Sequence, residues 1–166
     1  MNSVGHNAGD YMVNIAVLVK QVPDTNSKIQ IVGDRVDLSS VKMEISPYDE
    51  FAVENALQHK ESEGGTVTAI TVGNDGADKV LKGVKALGVD NIVRLDYDGY
   101  MDSNGLQSVL ADEIKSGGYD VVYCGKSAAD TGAGSTGPGI AERLGWGSIS
   151  NLSLIHISEP TRLSAI

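Results

Sequence analysis

Short apolar runs rich in β-branched residues alternate along this chain with segments of helical periodicity. The first run, residues 13–19, is nearly continuous, which is typical of a parallel strand covered on both faces. Further runs follow at 66–72, 91–95 and 121–124, and the segments between and after them (46–63, 77–87, 103–116 and 140–144) carry helical patterns. Such alternation forms βαβ units with right-handed crossovers. The sequence therefore predicts an α/β fold with a doubly wound, mostly parallel sheet.

Two local features interrupt this alternation between the first strand and the first helix. Residues 28–38 alternate between apolar and polar side chains around a Gly-Asp turn, which predicts a small β-hairpin insertion outside the main sheet. Ser46 and Pro47 then predict a helix start, with the Ser46 side chain accepting a hydrogen bond from the amide at the third helical position.

Composition excludes several classes of function. The formal net charge is −9 and the 13 Lys and Arg residues are scattered, so we expect no nucleic-acid binding. One cysteine and three widely spaced histidines argue against a metal site. No apolar run is long enough to span a membrane, and residues 1–12, which we expect to be a flexible extension, lack the features of a secretory signal. We therefore expect a soluble protein of the cytoplasm or of an organelle matrix.

The segment most suggestive of ligand binding is glycine-rich and spans residues 125–137, between the last strong strand and the following helix. Ligands of open α/β sheets bind at the carboxyl ends of strands, where glycines let backbone amides approach a phosphate. Lys126 adds a positive charge, and hydroxyl donors come from Ser127, Thr131, Ser135 and Thr136. The alternative is an irregular surface loop without a ligand.

Three better-known nucleotide motifs do not fit this loop. A P-loop requires a glycine where Asp120 stands. Gly132, Gly134 and Gly137 match G-x-G-x-x-G, but they begin too far after the strand for a nicotinamide-dependent dehydrogenase. The ATP loop of universal stress proteins requires glycines where this chain has Val121 and Cys124.

No arrangement of catalytic groups stands out either. A G-x-S-x-G elbow is missing from the sequence. Asp24, Asp49 and Asp130 could converge as a set of carboxylates, but a turn residue, a helix-terminus charge and a loop acceptor are the stronger interpretations. We expect Cys124 to be an inert thiol at the end of a buried strand. Any redox chemistry would require a bound cofactor. We therefore predict that the chain is not an enzyme on its own.

Several segments, in collinear order, resemble the beta subunit of electron-transfer flavoproteins. They are 17–24 (VLVKQVPD), 41–57 (VKMEISPYDEFAVENAL), 85–90 (KALGVD), and 124–130 (CGKSAAD) with the Thr-Gly pair at 136–137. The likeness covers residues 13 to about 147. It rests on the order and spacing of these segments rather than on any one of them.

The resemblance implies an adenine-nucleotide-binding, Rossmann-like domain over residues 13–152 that pairs with an alpha subunit. Such a heterodimer carries electrons from acyl-CoA or related dehydrogenases to a quinone reductase or another acceptor. The alpha subunit supplies most of an FAD site, and the beta subunit holds AMP, or a second FAD in bifurcating relatives. Carried over by position, the nucleotide contacts are Leu18, Ser46, Val72, Gly125, Lys126, Ser127, Ala128, Ala129, Asp130, Thr131, Gly132, Ala133, Gly134, Ser135 and Thr136.

Some positions depart from the family pattern. Ser46 stands where many relatives have Asn, and the Asp-Thr-Gly run at 130–132 differs from the usual acidic run, so AMP and FAD both remain open. Residues 153–166 are unlike the family and resemble a translated sequencing adapter, so we expect them to be a non-native tail. The alternative function is a stand-alone adenine-nucleotide-binding regulatory module.

Overall fold

The computed structural model describes residues 12–150, except for the side chain of Arg35. The expected extension at 1–12, apart from Met12, and the expected tail lie outside the described residues. In chain order the elements are β1 (Val13–Leu18), β2 (Gln21–Pro23), β3 (Gln30–Val32), β4 (Arg35–Asp37), β5 (Met43–Ile45), α1 (Pro47–Glu63), β6 (Gly65–Gly73), α2 (Asp78–Ala86), β7 (Asn91–Asp96), α3 (Ser103–Gly117), β8 (Val121–Cys124) and α4 (Thr136–Leu144).

Four of these strands form one parallel sheet in the order β7-β6-β1-β8. Leu18 of β1 aligns with Ile70 on one side and with Cys124 on the other, so these three strands end near the same edge. β1, the first strand of the chain, lies inside the sheet with β6 on one side. β8, the last of the four strands along the chain, pairs with its other side. This confirms the predicted doubly wound α/β fold, and the strand order reverses between β1 and β8.

Consecutive residues of β1 enter two separate cores. Ile15 and Val17 face a core that includes α1 and α2, whereas Ala16 and Leu18 face a core that includes α3 and α4. All four are buried. Because both faces are covered, β1 has no polar face, which explains its nearly continuous apolar run.

The connection between β1 and α1 contains two small antiparallel ribbons. Within residues 12–150, β3 and β4 pair only with each other, which confirms the hairpin outside the main sheet. β2 pairs with β5 and forms a second ribbon that the sequence analysis did not predict. Both strands of this ribbon are three residues long, so neither carries a readable alternation.

Three local predictions are corrected. The Ser46 side chain makes no capping bond; instead the Asp49 amide donates to the Ser46 carbonyl oxygen at 2.8 Å. α4 begins at Thr136 rather than at residue 140, so Thr136 belongs to a helix and not to the loop. Among the described residues β8 lies at the edge of the sheet and its residues are half-buried, so the Cys124 side chain is only partly covered.

Candidate functional site

The carboxyl ends of β1 and β8 form the point where strand order reverses, and three polar segments meet there. They are the turn after β1, the start of α1, and the glycine-rich loop of residues 125–135 that leads from β8 into α4. This arrangement is typical of ligand sites in open α/β sheets. The topology therefore brings the predicted site residues to one edge of the sheet.

A buried carboxylate connects these segments. Asp49 lies in the first turn of α1 and is 6% exposed. Its Oδ2 accepts a hydrogen bond from the Lys20 amide at 2.8 Å, and its Oδ1 accepts one from the Gly125 amide at 3.1 Å. The Ser46 amide donates in turn to the Lys20 carbonyl oxygen at 2.9 Å. The start of α1 is thus bonded to the main chain at the ends of both strands.

The environment of Asp49 perturbs its acidity. Burial raises the pKa of this carboxyl to about 6, against the opposing effect of the two amide hydrogen bonds and the Lys20 charge. The negative charge of Asp130 adds to the increase in pKa. Desolvation therefore outweighs hydrogen bonding here. The sequence predicts a helix-terminus charge at Asp49 and gives no indication of this burial.

Gly125 has a local reason to be glycine. A Cβ at this position would lie 2.9 Å from both the Asp49 amide nitrogen and the Tyr48 carbonyl carbon, and would overlap the Asp49 Oδ1. The first turn of α1 thus packs directly against the backbone where β8 ends. Any side chain at position 125 would separate the two segments.

The rest of the loop is held by polar contacts of its own. The Lys20 ammonium pairs with the Asp130 carboxylate at 2.6 Å. The Gly132 amide donates to the Ala128 carbonyl oxygen, and the Gln107 side chain donates to the Ser135 carbonyl oxygen at 3.1 Å. Gly132 has a φ of 61°, as has Gly134, a backbone conformation that other residues adopt only with strain.

Ser46 carries the one buried side-chain oxygen or nitrogen that has no hydrogen-bond partner among the described residues. The residue is fully buried, directly before α1. A buried hydroxyl without a partner costs free energy, so such a group in a native fold calls for an explanation. A ligand that accepts or donates a hydrogen bond at this position would supply one, so the residues present fit a bound polar group.

The other two predicted contacts lie on the opposite face of the sheet. Leu18 belongs to the core against α3 and α4, and Val72 packs against the same core. Both stand close to the carboxyl ends of their strands, β1 and β6. The predicted set therefore shares one edge of the sheet, with Ser46 at the start of a helix that packs on the other face.

A cavity of about 670 Å³ opens beside this edge, along the outer side of β8. Part of the predicted loop lines it (Gly125, Lys126, Ser127, Gly132 and Gly134), but Leu18, Ser46 and Val72 do not. Its wall also includes aromatic side chains that the sequence analysis missed: Tyr48, Phe51, Tyr123 and Trp146. The spacing of Tyr48 and Phe51 on α1 was the available signal, since residues three apart share a helix face.

Three further observations concern metal ligands, the cysteine and membrane-spanning helices. Among residues 12–150, no group of three or more His, Cys, Asp or Glu side chains is placed to hold a metal ion. Burial raises the pKa of the Cys124 thiol to about 11, with a further contribution from the Asp49 charge. None of the helices within that described range is long and apolar enough to cross a membrane.

Fold and site together define a doubly wound α/β domain with a glycine-rich loop at its topological switch point, a class whose ligands bind outside the carboxyl ends of the strands. A model of the electron transfer flavoprotein domain matches residues 35–165. The chain belongs to this family, as the resemblance had implied.

The similar proteins include beta subunits of electron transfer flavoproteins. The one from Bacillus subtilis is 34% identical over 149 residues, covering 88% of this chain and 58% of the relative. The one from Thermoanaerobacterium thermosaccharolyticum is 36% identical over 135 residues, covering 80% of this chain and 52% of the relative. The acryloyl-CoA reductase electron transfer subunit gamma of Anaerotignum propionicum is 34% identical over 138 residues, with 80% and 52% covered. The chain thus spans little more than half the length of these relatives.

Proposed function

We propose that residues 13–152 form the nucleotide-binding unit of an electron-transfer flavoprotein beta subunit. The unit binds an adenine nucleotide at the carboxyl edge of the sheet, between β1 and β8. The nucleotide is AMP, or a second FAD if the protein bifurcates electrons. The contacts are those predicted from the family: Leu18, Ser46, Val72, and residues 125–136.

The unpartnered Ser46 hydroxyl is the observation that carries this proposal. It is fully buried at the start of a 17-residue helix, whose dipole favours a polar or anionic group nearby. The neighbouring loop contributes main-chain amides and the exposed Lys126 ammonium. A nucleotide provides phosphate oxygens and ring nitrogens that match such donors.

We further propose that the chain works as an electron carrier together with an alpha subunit. The names of the similar proteins, "electron transfer flavoprotein subunit beta" and "electron transfer subunit gamma", support a role within an assembly. An FAD shared with the alpha subunit would supply the redox chemistry. The proposed electron donors are acyl-CoA or related dehydrogenases, the proposed acceptor is a quinone reductase or an equivalent protein, and the proposed location is the cytoplasm.

The test is to co-express the chain with an electron-transfer flavoprotein alpha subunit, purify the complex and identify the released ligand by mass spectrometry. AMP would support a carrier whose FAD chemistry belongs to the partner. FAD at two equivalents per heterodimer would support a bifurcating protein. ATP on the chain alone, without complex formation, would contradict the proposal and support a stand-alone regulatory module.

A pair of variants makes this test specific to the site. Ser46→Ala should lower the nucleotide content of the purified complex, because the ligand loses a hydrogen bond. Without nucleotide, the variant should melt at the wild-type temperature or above it, since a buried unpartnered hydroxyl is removed. Ser62→Ala is the control, because this exposed hydroxyl bonds only to the His59 carbonyl oxygen within α1. Equal nucleotide content in both variants would place the ligand away from Ser46.

A further inference from the structure

Asp49 is the one buried ionisable side chain among the described residues; its buried polar companions are Ser46, Thr68 and Thr71. An acidic residue in the first turn of a helix normally interacts with the helix dipole from a solvated position. Glu50, the next residue of α1, does so and is exposed. The burial of Asp49 therefore needs a reason other than helix stability.

The hydrogen bonds of Asp49 supply that reason. Each carboxylate oxygen accepts one hydrogen bond from a main-chain amide. The donors are Lys20, in the turn after β1, and Gly125, at the start of the glycine-rich loop. These donors lie 29 and 76 positions from Asp49 in the sequence. Because the two amides use one oxygen each and are aimed inward, the carboxylate is an internal anion at the switch point. It fixes the backbone there and is not itself available to a ligand.

We infer that Asp49 is a positioning residue, whose carboxylate fixes the first residue of the glycine-rich loop against the end of β1 and so orients the loop toward the nucleotide. The inference rests on the proposed nucleotide site and adds a residue that makes no contact of its own with the ligand. Gly125 is needed for the same contact, because only a residue without a side chain brings this amide within hydrogen-bond distance of the carboxylate.

Charged and titratable groups around Asp49 affect the pH at which its carboxyl ionises. The Lys20 ammonium, beyond β1, favours the carboxylate, and the Asp130 carboxylate, in the loop, opposes it. The Cys124 thiol on β8 is close enough to Asp49 for the charge of Asp49 to raise the pKa of the thiol. Since burial brings the pKa of Asp49 to about 6, the carboxylate ionises within a range that solution experiments reach easily.

The first measurement follows backbone amide signals of the full chain, labelled with nitrogen-15, from about pH 5 to about pH 8. In the wild type we expect the Lys20 and Gly125 signals to move together with one midpoint at about pH 6. The heteronuclear NOE of residues 126–132 should fall on the acid side of that midpoint, as the loop loses its anchor. Both effects should disappear in Asp49→Asn. A movement that survives in this variant would contradict the inference, because it would not depend on the Asp49 carboxyl.

The second measurement is the affinity for AMP, by calorimetry at about pH 7.5. Asp49→Asn should weaken binding about tenfold, the effect of losing one hydrogen bond to a charged group. Asp90→Asn is the matched control. Asp90 also accepts a hydrogen bond from a main-chain amide, that of Val67 at 2.8 Å, and it also pairs with a lysine. It lies at the amino end of β7, away from the loop, so this variant should bind AMP as the wild type does.

The outcomes separate the two proposals. Lack of binding of both AMP and FAD by the wild type would overturn the nucleotide site, and the positioning role with it. Wild-type binding that Asp49→Asn retains in full would overturn only the role of Asp49. If that variant does not fold, the wild-type titration still decides, because separate midpoints for Lys20 and Gly125, or a loop whose order does not change with pH, would contradict the inference.

Discussion

The Lys20 ammonium holds both oxygens of the Asp130 carboxylate, with Nζ 2.6 Å from Oδ1 and 2.7 Å from Oδ2. One ion pair thus joins the end of the first strand to the middle of the loop that follows the last strand of the sheet. The two side chains keep 40% and 33% of their area exposed, so water and salt weaken the attraction. We therefore expect the pair to order the loop more than it stabilises the fold.

Asp130→Asn should make this loop easier to cleave. Lys126 is exposed in the same loop, and trypsin cuts after it when the local chain opens. We expect faster cleavage after Lys126 in the variant, with a loss of about 0–1 kcal/mol in the free energy of unfolding. Timed digests followed by mass spectrometry measure the rate. Asp34→Asn, at an exposed position between β3 and β4, is the control and should be cut at the wild-type rate.

Gly125→Ala should destabilise the protein, because the new Cβ would overlap Asp49 and the first turn of α1. The expected loss is about 1–3 kcal/mol in the free energy of unfolding, measured in urea. Gly83→Ala gives the opposite expectation. A Cβ at Gly83 meets nothing within 4 Å in the interior of α2, so alanine should stabilise the helix by about 0.5–1 kcal/mol. If both variants changed the free energy of unfolding by the same amount and in the same direction, the start of the loop would not be tightly packed.

The stability that Asp49 contributes should fall as pH rises. Its pKa is raised from 3.8 in the unfolded chain to about 6 in the fold, so the folded state binds the proton more tightly. The favourable contribution is therefore fully present below about pH 4 and is lost as pH rises through about 6, with a total change on the order of 2–3 kcal/mol. Urea denaturation of the wild type and Asp49→Asn across this range measures the difference. A flat difference would mean that the carboxyl is solvated.

Asp90 should show the opposite dependence. Burial acts to raise its pKa, but the Lys60 ammonium at 2.6 Å, the Val67 amide and the Lys85 charge outweigh burial and hold the pKa below 3.8. Its contribution is present above about pH 4 and is lost as pH falls below that value. Asp90→Asn should therefore destabilise the protein by about 1–2 kcal/mol at neutral pH. The gap between wild type and variant should close on acidification.

Cys124 should react slowly with iodoacetamide. The pKa of about 11 leaves roughly a hundredfold less thiolate at mildly alkaline pH than a thiol of ordinary pKa 9.0 would have. Alkylation of the native protein, followed by mass spectrometry, should be correspondingly slower than alkylation in urea. Asp49→Asn removes one cause of the shift and should speed the native reaction. Equal native and unfolded rates would show an unshielded thiol.

The sheet was predictable from sequence because its signals are local and strong. Residues 13–19 are apolar on both faces, and glycines close α1 and α3, so these elements lie within a residue or two of where the patterns place them. The ribbon β2–β5 was not predictable, since its two strands are short and lie far apart in the sequence. Long-range pairing leaves no periodic trace in segments of this length.

The place of the glycine-rich loop at the edge of the sheet was predictable from sequence, but its network of contacts was not. The loop at 125–137 and the serine before α1 were identified from glycines and from the family pattern. The role of Asp49 was missed, because helix-terminus acids are usually solvated and nothing in the sequence indicates that two distant amides converge on this one. The Lys20–Asp130 pair was missed for the same reason: its partners are 110 positions apart.

The central place of β1 in the sheet also affects how the chain folds. β1 pairs with β6 on one edge and with β8, from residue 121 onward, on the other. The Asn14 amide donates to the Asp120 carboxylate across 106 positions. Contacts of such long range slow folding, because a large loop must close before they form. During synthesis, one edge of this buried, apolar strand therefore stays unpaired until β8 has left the ribosome.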